Sequence, residues 1–110
     1  MESRPLWITK LSHSLLPLYL LALIKLHPRY GYELLDELSR ILEGREHISR
    51  HHIYPILNEF EKRRLLQGDW STEKKPRKYY YITPRGEIAL TQLLFLLQKT
   101  KDNIATILRE

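Results

Sequence analysis

Residues 49–66, SRHHIYPILNEFEKRRLL, decide how the rest of the chain is read. Ile53, Ile56, Leu57 and Phe60 recur at i, i+3, i+4 and i+7, the spacing of a helix with one buried stripe. At about 100° per residue the opposite face collects His51, Tyr54, Pro55, Asn58 and Lys62, a polar and basic surface with no carboxylate at its centre. Ser49 stands where an N-cap belongs, its hydroxyl able to accept from the free amides of the first turn. The helix then starts with Arg50, His51 and His52. Acidic residues would suit the positive end of the helix dipole better, so stability alone does not account for this start, whereas an end aimed at an anion or a base edge does. Pro55 removes one internal hydrogen bond, which predicts a local kink or tightened first turns.

Upstream, HPRYG at 27–31 is a breaker cluster, and residues 32–42 place Leu34, Leu35, Leu38, Ile41 and Leu42 on a second apolar stripe. Gly44 follows where helices commonly stop with positive φ, and residues 45–48 lead to Ser49. Two amphipathic helices joined by a short connection predict a helix-turn-helix whose second member is the 49–66 segment. Residues 15–24, LLPLYLLALI, are the most apolar run. A bilayer span needs about twenty such residues, Lys25 and His27 close this run, and no small-residue cleavage site follows it. A buried helix with Pro17 in its first turn is expected, and no membrane partner. Residues 7–14 read as a short helix or arm whose Trp7, Ile8 and Leu11 pack on something, a second subunit being the natural candidate.

Past Leu66 the period drops from 3.6 to 2. Residues 66–73 read as one strand and 78–83, KYYYIT, as another. Tyr80 shares a face with Ile82 and Tyr79 with Tyr81, so one pair is expected in the core, and Trp70 likewise. Between the strands lies KKPR at 74–77, a hairpin tip with four cations once Lys78 is counted. With the preceding helix in a major groove, such a tip reaches phosphates or the adjacent minor groove. Thr83 and Pro84 read as an N-cap and a first helical residue, opening a helix that runs to near Leu108. Leu90, Leu97 and Ile104 fall seven apart, as do Leu93 and Ile107 with Thr100 between them, and Leu94 and Leu108 with Lys101 between them. One small domain does not cover so long an apolar stripe, and a homodimer through these leucines and isoleucines is its simplest cover.

A chain of 110 residues holds one domain, with a DNA-binding part at about 15–83 and a dimerisation helix at about 84–109. Eighteen Lys and Arg against thirteen Asp and Glu, a net charge of +5, favour a polyanionic partner. The absence of cysteine excludes disulfides and thiolate metal sites, and a cytoplasmic location is the default. The sequence has no Gly-rich phosphate loop, no nucleophile elbow and no acid pair on a predicted rigid element, so an enzyme is not expected, nor a cofactor.

The order and spacing of these pieces resemble the PadR family of transcriptional regulators. Tyr30-Gly31-Tyr32-Glu33-Leu34, Ile53-Tyr54-Pro55-Ile56-Leu57-Asn58-Glu59-Phe60-Glu61, Leu65-Leu66 and Pro76-Arg77-Lys78-Tyr79-Tyr80-Tyr81-Ile82-Thr83-Pro84-Arg85-Gly86 carry the resemblance. It implies an α+β, mainly α fold: a winged helix-turn-helix with a two-stranded wing and a long C-terminal dimerisation helix, acting as a homodimeric repressor on an operator of two-fold symmetry. Two departures stand out. Ser49-Arg50-His51-His52 replaces the family's usual Ser-Pro-Gly-Thr, and Tyr30-Gly31-Tyr32 replaces His-Gly-Tyr. The first adds donors at the helix end nearest DNA.

On this reading Ser49, Arg50, His51, His52, Tyr54, Asn58 and Lys62 are the candidates on the recognition helix, and Lys74, Lys75, Arg77 and Lys78 those on the wing. Replacing Lys75 and Arg77 by Ala is expected to weaken binding to all sequences. Some proteins similar to this one bind flat aromatic effectors near the dimer interface, where Trp7, Tyr19 and Phe95 are candidates here. Two rival classes are a metal-responsive regulator using His47, His51 and His52 with Glu43 and Glu46 nearby, and a protein-interaction module that leaves the basic hairpin without a role.

Overall fold

The computed structural model describes residues 5–43 and 47–109. Along them run α1 (Leu6–Ser14), α2 (Leu16–Leu26), β1 (Arg29–Tyr30), α3 (Gly31–Ile41), α4 (Arg50–Lys62), β2 (Leu66–Trp70), β3 (Lys78–Ile82) and α5 (Pro84–Arg109). α2 is the axis of the core. Its Leu16, Leu20, Leu21, Leu23 and Ile24 are buried, and they join Leu34 and Leu38 of α3, Ile53 and Leu57 of α4, Tyr80 of β3 and Leu90 of α5 in one cluster. Burying each such side chain stabilises the fold by roughly 1.5–3 kcal/mol. Pro17 sits in the first turn of α2, where its missing N–H has no helical partner to lose. The run Leu6–Leu26 is long and apolar enough to cross a membrane by length and composition. It is broken at Leu15, however, and its second half is the core helix of the domain.

The small antiparallel sheet has the order β1-β3-β2. Leu66 pairs with Ile82, Gly68 with Tyr80 and Trp70 with Lys78, while Arg29 pairs with Tyr80 on the other side of β3. The two-stranded wing thus gains a third strand from the breaker cluster at 27–31, since two residues are too few for a strand period to register. Arg29 is buried there, donating from Nε to the Leu23 carbonyl at 3.0 Å with Glu37 3.8 Å from its guanidinium. The expected tyrosine alternation holds: Tyr80 is buried and Tyr81 exposed.

Two boundaries move relative to the sequence reading. α4 stops at Lys62 instead of running toward Leu66, because Arg64 adopts φ 60°. The Leu65 N–H then bonds the Phe60 carbonyl at 2.8 Å and the Arg64 N–H that of Glu61 at 3.0 Å, a Schellman ending made without glycine. β2 ends at Trp70, three residues before Glu73, and the loop is closed by the Ser71 N–H on the Arg77 carbonyl at 2.8 Å and the Arg77 N–H on Ser71 Oγ at 3.0 Å. The expected stop at Gly44 lies outside the described residues; among those described, Glu43 after α3 is left-handed, with φ 54°.

α5 starts as expected. Thr83 Oγ1 accepts the Gly86 N–H at 3.1 Å and lies within hydrogen-bonding reach of the Leu65 carbonyl at 3.0 Å. Gly86 is required by this packing: a Cβ there would lie 2.1 Å from the Leu65 carbonyl oxygen. Leu90 is buried, so it belongs to the chain's own domain and is not free for a second subunit, while Leu93 packs against the core and is partly buried. Further along, Leu94, Leu97, Ile104, Ile107 and Leu108 are exposed, as are Leu6, Trp7 and Leu11 of α1. The protruding helix stretches the molecule to 60 Å.

Candidate nucleic-acid interface

Ser49 caps α4 in extended backbone, φ −123°. Its N–H donates to Nδ1 of His52 at 3.0 Å, and its carbonyl accepts the His52 N–H at 3.0 Å. His52 therefore holds the cap from inside and is not the free DNA-edge donor that the sequence suggests. Its ring meets that of His13 in α1 edge-on, centroids 4.8 Å apart. Burial lowers the His52 pKa below the usual histidine value, and His13, His47 and His51 lower it further. A neutral ring, its proton on Nε2, is the form that accepts from Ser49.

Tyr54 also turns inward. It is half-buried, and a Cβ on Gly31 would lie 2.1 Å from its hydroxyl, so α4 and the start of α3 touch only because residue 31 has no side chain. Arg50, His51, Asn58 and Lys62 remain on the exposed face of α4.

The wing cations divide in the same way. Lys78 Nζ bonds Glu61 Oε1 at 2.6 Å, tying the second wing strand to α4, and is thereby engaged within the chain. The Arg77 guanidinium lies 4.5 Å from the Tyr30 ring centroid, a cation–π stack against the end of β1. Lys74 and Lys75 stand exposed at the tip.

Between α4 and the wing runs a groove of ≈ 870 Å³, with Arg50 and Asn58 on one side, Lys75 and Arg77 on the other, and Tyr54 and Tyr80 recessed between them. No Asp or Glu lines it among the described residues. Trp70, expected in the core, is 66% exposed and lines this groove instead, because the sheet ends there and its pair with Lys78 is the last before the hairpin tip. Burial pushes the Tyr80 phenol up to about 12, with Glu61 and Tyr54 adding to the shift, so it stays protonated. Sequence reasoning missed Glu61 and Trp70. The available signal was Gly68, which lies opposite Tyr80 and leaves room for Lys78 to reach Glu61.

The other candidates lie away from this groove. Trp7 and Phe95 are exposed, Tyr19 packs against the core, and none of the three lines the groove. Among the described residues no three His, Asp or Glu side chains gather to hold a metal ion, and Glu46 lies outside them.

A helix-turn-helix followed by an antiparallel hairpin, with an acid-free basic groove between them, defines a winged helix-turn-helix protein. The model of the transcriptional regulator PadR-like family matches residues 20–92, and the chain belongs to that family of transcription regulators. An uncharacterised protein of Lysinibacillus sphaericus is 35% identical over 88 residues, 77% of this chain and 80% of that one. A PadR family transcriptional regulator from Eggerthella lenta superposes with a TM-score of 0.77 at 26% identity, over 93% of this chain and 85% of that one. A transcriptional regulator from Clostridium thermocellum shares the fold, with a TM-score of 0.80 at 24% identity over 88% and 96% of the two chains.

Proposed function

We propose that the protein is a sequence-specific double-stranded DNA-binding regulator that acts as a homodimeric repressor. α4 enters the major groove, where Arg50, His51 and Asn58 meet base edges and Lys62 a phosphate. The wing tip, through Lys74 and Lys75, contacts the backbone or the adjacent minor groove. The observation that carries this reading is the groove between α4 and the wing, which has cations on both walls and, among the described residues, no carboxylate in its lining. Dimerisation is supported by the exposed apolar side chains of α5 beyond Leu93 and of α1, and repression by the family resemblance. The DNA-binding part spans about 15–83 and the dimer helix about 84–109.

Fluorescence anisotropy of a labelled duplex from the region upstream of its own coding sequence, against a scrambled duplex across a salt series, tests this. The expected result is preference for the native duplex, with log K falling steeply as log salt rises. No binding to either duplex at low salt would overturn the reading.

A further inference from the structure

α4 and the wing are separate elements that have to meet one duplex at the same time, so the spacing between them matters as much as the charges they carry. We propose that Glu61 and Lys78 are positioning residues for DNA binding: their ion pair holds the wing at a fixed spacing from α4, and neither side chain contacts DNA. The role rests on the reading of α4 and the wing as the DNA surface.

Glu61 lies in the last turn of α4, and Lys78 is the first residue of β3, where the chain returns from the wing tip. Lys78 Nζ stands 2.6 Å from Glu61 Oε1, with both side chains partly shielded from water. The shielding limits screening by salt, and the charge-assisted bond fixes the length of the link. The same ammonium lies 5.6 Å from the centroid of the buried Tyr80 ring, which steadies it from the core side. Gly68 of β2 lies beneath the pair. A Cβ there would stand 2.3 Å from Lys78 Cε and 2.9 Å from Glu61 Oε2, so the pair crosses β2 through space that only a glycine leaves. One strut therefore spans α4, β2 and β3. Among the described residues no other ion pair joins α4 to a wing strand.

As electrostatics alone, the pair works against a polyanion, because it withdraws one cation from the surface and places a carboxylate beside it. Its contribution is geometric. A wing already held where the duplex needs it loses less freedom on binding, and affinity rises without any new phosphate contact. A positioning pair and a contacting cation thus leave different signatures. Loss of a contact flattens the dependence of log K on log salt, whereas loss of position lowers log K by the same amount at every salt concentration.

The test is duplex binding across a salt series, read by fluorescence anisotropy, for the full chain and three variants: Gly68→Ala, Lys78→Ala and the two combined. Gly68→Ala separates geometry from charge, since it displaces the pair without altering any charge, and residue 68 does not need a left-handed backbone. Each single variant is expected to bind about three- to tenfold more weakly, with the slope unchanged. In the DNA-free protein the backbone amide order parameters of residues 71–77 are expected to fall while those of α4 hold. The double variant is expected to lose no more than Lys78→Ala alone, because both changes break the same strut. Gly68→Ala binding as tightly as the parent, or losses that multiply in the double variant, would overturn the positioning role. So would a Lys78→Ala slope flattened by about 0.9, the mark of a lost phosphate contact. If the parent binds no duplex at low salt, the DNA reading itself fails and the positioning role with it, whereas parent binding with an unaffected Gly68→Ala overturns the role alone.

Discussion

Two surfaces of this molecule stay open to water, and they are built from opposite chemistries. α4 and the wing present Arg50, His51, Asn58, Lys62, Lys74 and Lys75, all exposed. α5 beyond Leu93, with α1, presents Leu94, Phe95, Leu97, Ile104, Trp7 and Leu11, equally exposed. The first surface is well hydrated as it stands and gains only from a polyanion whose counterions it releases. The second costs roughly 25 cal/mol for each Å² of apolar area left in water, a cost that a protein surface of the same kind removes. Length and amphipathic pattern made both helices, yet on the proposed reading one recruits nucleic acid and the other a second subunit, because the side chains of α4 left over after core packing are polar and those of α5 are not.

The comparison breaks most completely if the apolar surface is made polar. Leu97→Glu with Ile104→Glu is expected to convert the protein to a monomer in light scattering and, by unlinking the two half-site binding events, to lower affinity for a palindromic duplex by about 10²–10⁴-fold. An unchanged mass would remove the proposed interface.

Neutralising the charged surface should act more gently and on every sequence alike. Lys74→Ala with Lys75→Ala is expected to flatten the slope of log K against log salt by about 1.8, roughly 0.9 for each phosphate that no longer meets a cation. Lys78→Ala should leave the slope nearly unchanged, since that cation is already engaged by Glu61. Equal slope changes in both variants would mean that Lys78 leaves Glu61 for DNA.

The two surfaces touch where His13 of α1 meets His52 of α4. Because the folded-state pKa of His52 is lowered, the unfolded chain binds the proton more readily, and stability contributed by the neutral cap is complete above the ordinary value near 6.5. It is lost as pH falls through that value toward the lowered one. Thermal melts between pH 7.5 and 5 should show this loss, of the order of one helix cap, about 1 kcal/mol. His52→Gln, which can accept from the Ser49 N–H without titrating, should flatten the profile relative to the parent. A profile of unchanged steepness would assign the pH dependence to other histidines.

The smallest effect belongs to the junction of α4 and β2. Arg64 holds a left-handed conformation that disfavours an L side chain. Arg64→Gly is expected to raise stability by about 0.5–1 kcal/mol in urea unfolding, the relief of the Cβ clash being partly offset by glycine's greater freedom when unfolded. A loss of stability would mean that the Arg64 side chain packs favourably on its neighbours.

Much of the fold was legible in the chain. The stripes of α3 and α4, the N-caps at Ser49 and Thr83, and the alternation of Tyr79, Tyr80 and Tyr81 are local patterns whose period matches the backbone that carries them. The end of α4 was not legible, because Arg64 takes a conformation that composition signals only when the residue is glycine. Within the candidate site, the outward residues His51, Asn58 and Lys62 could be picked out from helical periodicity and Arg50 from its place after the cap, but which neighbours were already engaged could not. His52 and Tyr54 lie on or near that same face, yet one is held by a cap and the other presses on Gly31.

By itself the sequence determined the order of elements, their faces, the excess of positive charge and the family, because each depends on residues close together in the chain. Only the tertiary structure decided that Lys78 belongs to Glu61, that Arg77 rests on Tyr30 and that Trp70 lies in the groove. These partners come from different elements, and packing α4 against the sheet is what brings a carboxylate, a ring or open water within reach of each.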